Sequence, residues 1–473
     1  MKCCRPHAWL ADVSPCFAVD GSQITILQEP SQFFSTLKEK TDSVKKRIVL
    51  ASLYLGTGEL EQELVDCLEK SCTRVRKEED RELEVTVLLD FTRGSRGQVN
   101  SRTLLLPLLQ KFEKSVSVSL YHTPDLRGFL KYVLPERYNE TIGLTHLKVY
   151  LFDDSVIISG SNLSHDYFTN RQDRYILIEN CAPLADFFTS LVKTVASFSF
   201  QLQTDNTVTV DESFGIHPFQ DDQTTFKWAA RDRVEKLLAC ESWRGGTGTE
   251  GRDSQNQGHH CDKDTWLYPL VQMGPLGITQ DEDTMRRLLR SADSGHRIRL
   301  ASGYFNLTDQ YMDILLNQSL AQYEILMASP QVNGFYGARG MTGGIVPAYI
   351  YISKLFFQTL SALNQQNRIK LYEYYRNKWT FHVKGLWYYP CGKTLPDMTL
   401  IGSTNFGYRS VHRDLEAQLA IVTTNHSLRT ELHKENERLY ELSSQVTEET
   451  YERPDRHIPL WVMWVTSVIK HFF

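Results

Sequence analysis

The sequence predicts an α/β fold built from two α/β/α sandwich halves related by a pseudo-twofold axis. Three observations predict it. The chain carries two His-x-Lys triplets, His146-Leu147-Lys148 and His382-Val383-Lys384, and each precedes a Gly-Ser turn that ends in asparagine. The pattern of strands and helices before the first triplet recurs before the second. A chain of 473 residues is too long for one ordinary core and fits two domains with insertions.

The elements repeat in order. The apolar run 48–55 is echoed at 298–305, and each is followed by a helix-like segment, 59–72 and 308–317. Second strands read at 85–89 and 323–327, each leading into a glycine-arginine loop: Arg93 to Gly97 in one half, Tyr336 to Gly340 in the other. Third strands follow near 116–121 and 368–374, then the strands that carry the triplets. Strands alternating with helices argue for parallel-rich sheets with helices on their faces. A helix near 182–200 closes the first half. The segments are an N-terminal half at 20–205, a linker at 206–265, a C-terminal half at 266–450 and an apolar tail at 451–473. The Gly-, Ser- and Gln-rich stretch 241–262 reads as a disordered surface insertion, with His259, His260 and Cys261 exposed. The loop from Leu55 to Gly58 lacks a Gly-Lys-Ser/Thr ending, so it is a strand-to-helix turn and not a P-loop.

The triplets carry the chemistry. Side chains at i and i+2 of a strand share a face, so each histidine stands beside its lysine. A neutral imidazole is a nucleophile towards phosphorus. A lysine next to it compensates charge on phosphoryl oxygens, and the amides of Asn162 and Asn405 can donate to the same oxygens. A second histidine can move the proton. These parts describe phosphoryl or phosphatidyl transfer through a phosphohistidine, with no metal or cofactor required. Asp153 follows His146 by seven residues, an odd step that turns it away from the imidazole on an uninterrupted strand. It reads as a structural residue that ties down the strand-to-turn connection.

At these residues the chain resembles the phospholipase D superfamily, whose signature is His-x-Lys-x4-Asp followed by Gly-Ser-x-Asn. The first copy supplies His146, Lys148 and Asp153 with a turn one residue short, Gly160-Ser161-Asn162. The second keeps His382, Lys384 and Gly402-Ser403-Thr404-Asn405, but Tyr389 stands where the aspartate belongs and 390–397 is inserted. The stretches 126–130 and 143–175 look like the eukaryotic phosphatidylglycerophosphate synthases. That resemblance implies CDP-diacylglycerol and glycerol-3-phosphate as substrates, CMP as leaving group, and a peripheral position on the mitochondrial inner membrane; the alternatives are a phospholipase D-type hydrolase that resolves the same intermediate with water, and a non-catalytic lipid-binding homologue. It also implies carboxylates that orient the imidazoles through Nδ1. The candidates are Asp173 and Asp414, with Glu416 as competitor to Asp414. His146 is the expected nucleophile, because its half keeps the complete motif, and His382 the acid-base partner. Arg93, Arg96 and Arg339 are candidates for binding substrate phosphates.

A net charge of −5 disfavours a general nucleic-acid role. Nine cysteines without Cys-x-x-Cys spacing suggest reduced thiols and no structural zinc. No run reaches the roughly 20 apolar residues of a spanning helix. Three stretches are candidates for touching a membrane surface: 126–134, 345–357 and the tryptophan-bearing 458–473. The N-terminus is neither a secretory signal nor an Arg/Ser-rich transit peptide, so mitochondrial location rests on the resemblance.

Overall fold

The computed structural model describes residues 6–128, 139, 141–244, 263–338 and 340–469. Most of the 241–262 insertion, most of 126–134, and Arg339 lie outside them.

Two nine-stranded sheets share one order over eight strands, and each adds a ninth at the opposite edge. In the first, the parallel strands Arg47–Ala51, Glu84–Asp90 and Val116–Tyr121 are flanked on the Arg47–Ala51 side by antiparallel Val149–Phe152, Ser155–Ser159, Tyr175–Ile178 and Ile24–Leu27. In the second, Arg297–Ala301, Gln322–Ala328 and Ile369–Tyr374 are flanked by Gly385–Tyr389, Met398–Gly402, Leu415–Thr423 and Thr265–Met273. The predicted duplication is therefore a correspondence strand by strand. The sheets are more mixed than parallel-rich, because the chain turns back in hairpins after each His-x-Lys triplet.

Alternation along the strands sorts side chains into three cores. Ile48 and Leu50 face outward to the helices Pro30–Ser43, Glu59–Glu78 and Ser101–Lys111. Val49 and Ala51 face inward, to a core that both halves share. Helix Ala182–Ala196, shorter than the 182–200 read from sequence, lies there with helix His426–Glu441. Helices Gln280–Arg290 and Ile345–Ala362 cover the outer face of the second sheet. The helix read at 308–317 is a short α-helix, Asp309–Asp313, running into a π turn at Ile314–Gln318.

Chain segments also cross between halves. Strand Phe17–Val19 pairs with Thr265–Leu267 in the second sheet, while Val208–Val210 extends the first. The deepest tie is an ion pair. Arg174 of the first half is 1% exposed and donates to both carboxylate oxygens of Glu435 in the second, at 2.9 and 2.8 Å. The same guanidinium donates to the carbonyl of Leu400 and the hydroxyl of Thr399 and lies 3.9 Å over the Trp387 ring. Trp387 donates its indole N–H to Glu435. Gly385 lets this happen: its φ is +132°, and a Cβ there would collide with the guanidinium. Breaking one partner of a buried, fully bonded pair strands a charge and costs about 3–5 kcal/mol. Arg174→Ala is expected to lose stability of that order in denaturant unfolding, far more than Arg231→Ala, which removes an exposed i,i+4 pair with Glu235.

Candidate active site

The His-x-Lys triplets are not strand interiors. Each is an extended link between a short pairing with the opposite half and a strand of its own sheet. Thr145 pairs in parallel with Leu415, and His146 N–H donates to the Leu415 carbonyl at 2.8 Å. In the other half, Thr380–Phe381 pairs in parallel with Arg171–Gln172, and His382 N–H donates to the Gln172 carbonyl at 2.8 Å. The two registers are equivalent. In each, the residue before the histidine sits opposite the residue before an acid.

That register crosses the carboxylates over. His146 Nδ1 lies 3.0 and 2.9 Å from the carboxylate oxygens of Glu416, which comes from the second half. His382 Nδ1 lies 2.7 Å from Asp173, which comes from the first. Both acids are buried. Each Nδ1–H therefore points to a carboxylate, which leaves the ring lone pair on Nε2. Asp414 has a different task. It accepts the Leu144 N–H at 3.1 Å and pairs with Arg409 at 3.1 Å, fixing the backbone ahead of His146. Of the competing candidates Asp414 and Glu416, Glu416 makes the imidazole contact, and it makes it to His146 of the opposite half. Counting from the asparagine would have found it, since Asp173 and Glu416 stand eleven residues after Asn162 and Asn405 respectively.

Each lysine folds back on its own triplet. Lys148 Nζ donates to the His146 carbonyl at 2.9 Å and Lys384 Nζ to the His382 carbonyl at 2.8 Å. Lys384 Nζ is also within 3.0 Å of both nitrogens of the His382 ring. Asp153 stands apart, as its odd step predicts. It sits at φ +52° in the turn between Val149–Phe152 and Ser155–Ser159, and its carboxylate accepts the backbone N–H groups of Lys45, Lys46 and Arg47. Asp397, in the second-half insertion, pairs with His7.

The asparagines reach the site differently from expectation. Asn162 donates to the Tyr167 hydroxyl at 3.1 Å, and that hydroxyl lies 3.2 Å from His382 Nε2. The amide oxygens of Asn162 and Asn405 are buried and have no hydrogen-bond partner among the described residues. Gly160 allows Asp173 to approach, since a Cβ there would stand 2.8 Å from its carboxylate. Arg93 stacks 4.3 Å over the Tyr54 ring, and Arg96 is half-buried in the next turn. Sequence reasoning missed Tyr167, Ser410, which donates to Glu416, and the flanking Arg171 and Arg409.

Burial dominates the electrostatics. It holds His146 well below the usual histidine range, reinforced by Lys148. It does the same to His382, reinforced by Lys384 and Arg171. Burial therefore favours the neutral form of both imidazoles. Burial pushes Lys148 well down and Lys384 to about 8, with Asp173 and Glu416 opposing the shift. Asp173 rises to about 6 and Glu416 also rises, again through burial. Among the described residues no cluster of His, Cys, Asp and Glu could hold a metal ion.

No protein-family model matches the chain. It is 50% identical over 477 residues to the protein from Cricetulus griseus named mitochondrial CDP-diacylglycerol–glycerol-3-phosphate 3-phosphatidyltransferase, covering 98% of this chain and 86% of that one. The Homo sapiens protein of the same name is likewise 50% identical, at 98% and 85% coverage. A Dictyostelium discoideum protein, named as a probable enzyme of this kind, is 37% identical at 98% and 80% coverage. Among solved structures, a phosphatidylserine synthase from Haemophilus influenzae superposes with a TM-score of 0.69 over 98% of both chains at 19% identity, which is a likeness of fold.

Two outcomes follow from the geometry. Glu416→Gln and Asp173→Asn should each lower turnover on the order of 10²–10⁴-fold, because each leaves its imidazole without the group that fixes its tautomer. In a pH–rate profile, activity should fall below about pH 6 as Asp173 protonates and above about pH 8 as Lys384 loses its charge. Lys384→Arg should move the alkaline limb upward, since a guanidinium stays charged.

Proposed function

This chain belongs to the family of CDP-diacylglycerol–glycerol-3-phosphate 3-phosphatidyltransferases, and we propose that it works by double displacement at one phosphorus. The enzyme transfers the phosphatidyl group of CDP-diacylglycerol to glycerol-3-phosphate and releases CMP, giving phosphatidylglycerophosphate. In the first step His146 Nε2 bonds to the phosphatidyl phosphorus while the bond to CMP breaks, its electron pair leaving with CMP. In the second, the sn-1 hydroxyl oxygen of glycerol-3-phosphate bonds to that phosphorus, the bond to Nε2 breaks, and the hydroxyl proton passes to His382 Nε2.

The observation that carries this reading is the pair of imidazoles, each with Nδ1 on a carboxylate from the opposite half. The neutral state of both rings supports the division of labour. His146 needs a lone pair to attack. CMP departs as a phosphate and needs little help from an acid, whereas a glycerol hydroxyl needs a base, and a neutral His382 is one. Lys148, Lys384 and the amides of Asn162 and Asn405 hold the phosphoryl oxygens, the amide of Asn162 by turning away from Tyr167. Arg93 and Arg96 are further phosphate contacts of this reading.

The relatives are named mitochondrial. For this chain we infer a peripheral position on the inner membrane. Among the described residues no helix is long and apolar enough to cross a bilayer. Helix Leu460–Ile469 exposes Trp461 and Trp464, and a diacyl substrate requires a site that opens to lipid.

The test is acceptor dependence. With CDP-diacylglycerol in mixed micelles, phosphatidylglycerophosphate should form only when glycerol-3-phosphate is added. Phosphatidic acid released at the same rate without acceptor would make the protein a hydrolase. His146→Ala should fall to background, and His382→Ala should lose on the order of 10²–10⁴-fold.

A further inference from the structure

We infer that Arg171 is the anchor of a single anion subsite, on the His382 side of the catalytic centre, which holds the phosphate of departing CMP and then the phosphate of glycerol-3-phosphate. The inference rests on the covalent-histidine reading above. In-line displacement puts the leaving oxygen opposite His146 Nε2, and the acceptor oxygen must enter from that same direction to expel the histidine. Each of these groups carries a phosphate, so one cation can serve both in turn.

The structure assigns that cation by breaking its own symmetry. In the shared register Arg171 is the counterpart of Asp414. Arg171 pairs with Thr380, two residues before His382, and its Nε donates to the Thr380 hydroxyl at 2.9 Å. Asp414 reaches Leu144, two residues before His146. One side of the site thus bears an arginine where the other bears an acid. On the His146 side, Arg409 is matched by a carboxylate with 6% of its side chain exposed. Arg171 is matched by Asp166, 57% exposed at 3.0 Å, a solvated partner that screens little and yields readily. The Arg171 guanidinium lies 4.5 Å over the Tyr167 ring, and that ring meets His382 edge-on at 5.1 Å. The stack keeps the charge beside the base, with Nε held by Thr380 and Nη2 on the solvated Asp166, and a guanidinium suits bidentate phosphate binding once Asp166 yields.

The test uses the full chain in CDP-diacylglycerol micelles, with CMP, glycerol-3-phosphate and unphosphorylated glycerol as probes. CMP should inhibit competitively against glycerol-3-phosphate. Arg171→Ala should raise the KM for glycerol-3-phosphate and the inhibition constant of CMP together, on the order of 10- to 100-fold, the worth of a charge-assisted hydrogen bond or two. Turnover with glycerol, which brings no phosphate, should fall less than turnover with glycerol-3-phosphate, because only the CMP contact is lost. Arg171→Lys should fall between, and it stands in should the alanine variant unfold. Non-competitive CMP, or a rise in only one constant, overturns the shared subsite. Trapping a phosphatidyl adduct on His146 without acceptor separates the two readings. If it forms and Arg171→Ala moves neither constant, the subsite fails alone. If no adduct forms, the covalent reading fails and the reason for sharing goes with it.

Discussion

Each half of this protein supplies the carboxylate that aims the other half's imidazole. The contacts are His146 to Glu416 and His382 to Asp173, and both arise from short parallel pairings between the halves. On the proposed mechanism neither half works alone, because its histidine has its carboxylate partner only when the second half is docked. The requirement explains why the halves share one apolar core and are locked by Arg174 and Glu435, one residue beyond Asp173 and within the helix His426–Glu441. An error of an ångström in that docking would be felt at both imidazoles at once.

Burial then sets the chemistry. Two histidines, two lysines and two acids sit in a site where every charge is disfavoured. The neutral forms win for the imidazoles, which is what a nucleophile and a base need. An anionic phosphate brings the charge that the lysines are short of, so substrate binding and lysine protonation support each other. Charge compensation is thus assembled by the substrate as it arrives.

Much of this was legible in the sequence. The twin triplets and the echoed strands gave the duplication, the two-half architecture and the pairing of His with Lys. The odd step to Asp153 marked it as structural, and it caps the backbone of residues 45–47. What failed was anything that depends on the path of the chain between halves. Asp414 and Glu416 both follow the second turn closely, and it is the register across Leu415 that decides which of them lies beside His146. The triplets read as strand because they are apolar and extended, but their hydrogen bonds go to the opposite half and not to a sheet ladder. Arg171 and Tyr167 gave no signal as site residues, since one lies two residues from Asp173 in an ordinary polar stretch and the other follows a helix cap. The hairpins that make the sheets mixed were hidden because alternation along a strand does not reveal the direction of its neighbours.

The central claim is that one phosphorus is displaced twice, first by a histidine and then by the acceptor. Stereochemistry at that atom tests it most directly. With CDP-diacylglycerol made chiral at the phosphatidyl phosphorus, two in-line displacements predict phosphatidylglycerophosphate with retained configuration. Inversion would mean that glycerol-3-phosphate attacks the donor directly, and the crossed imidazoles would then have no covalent role.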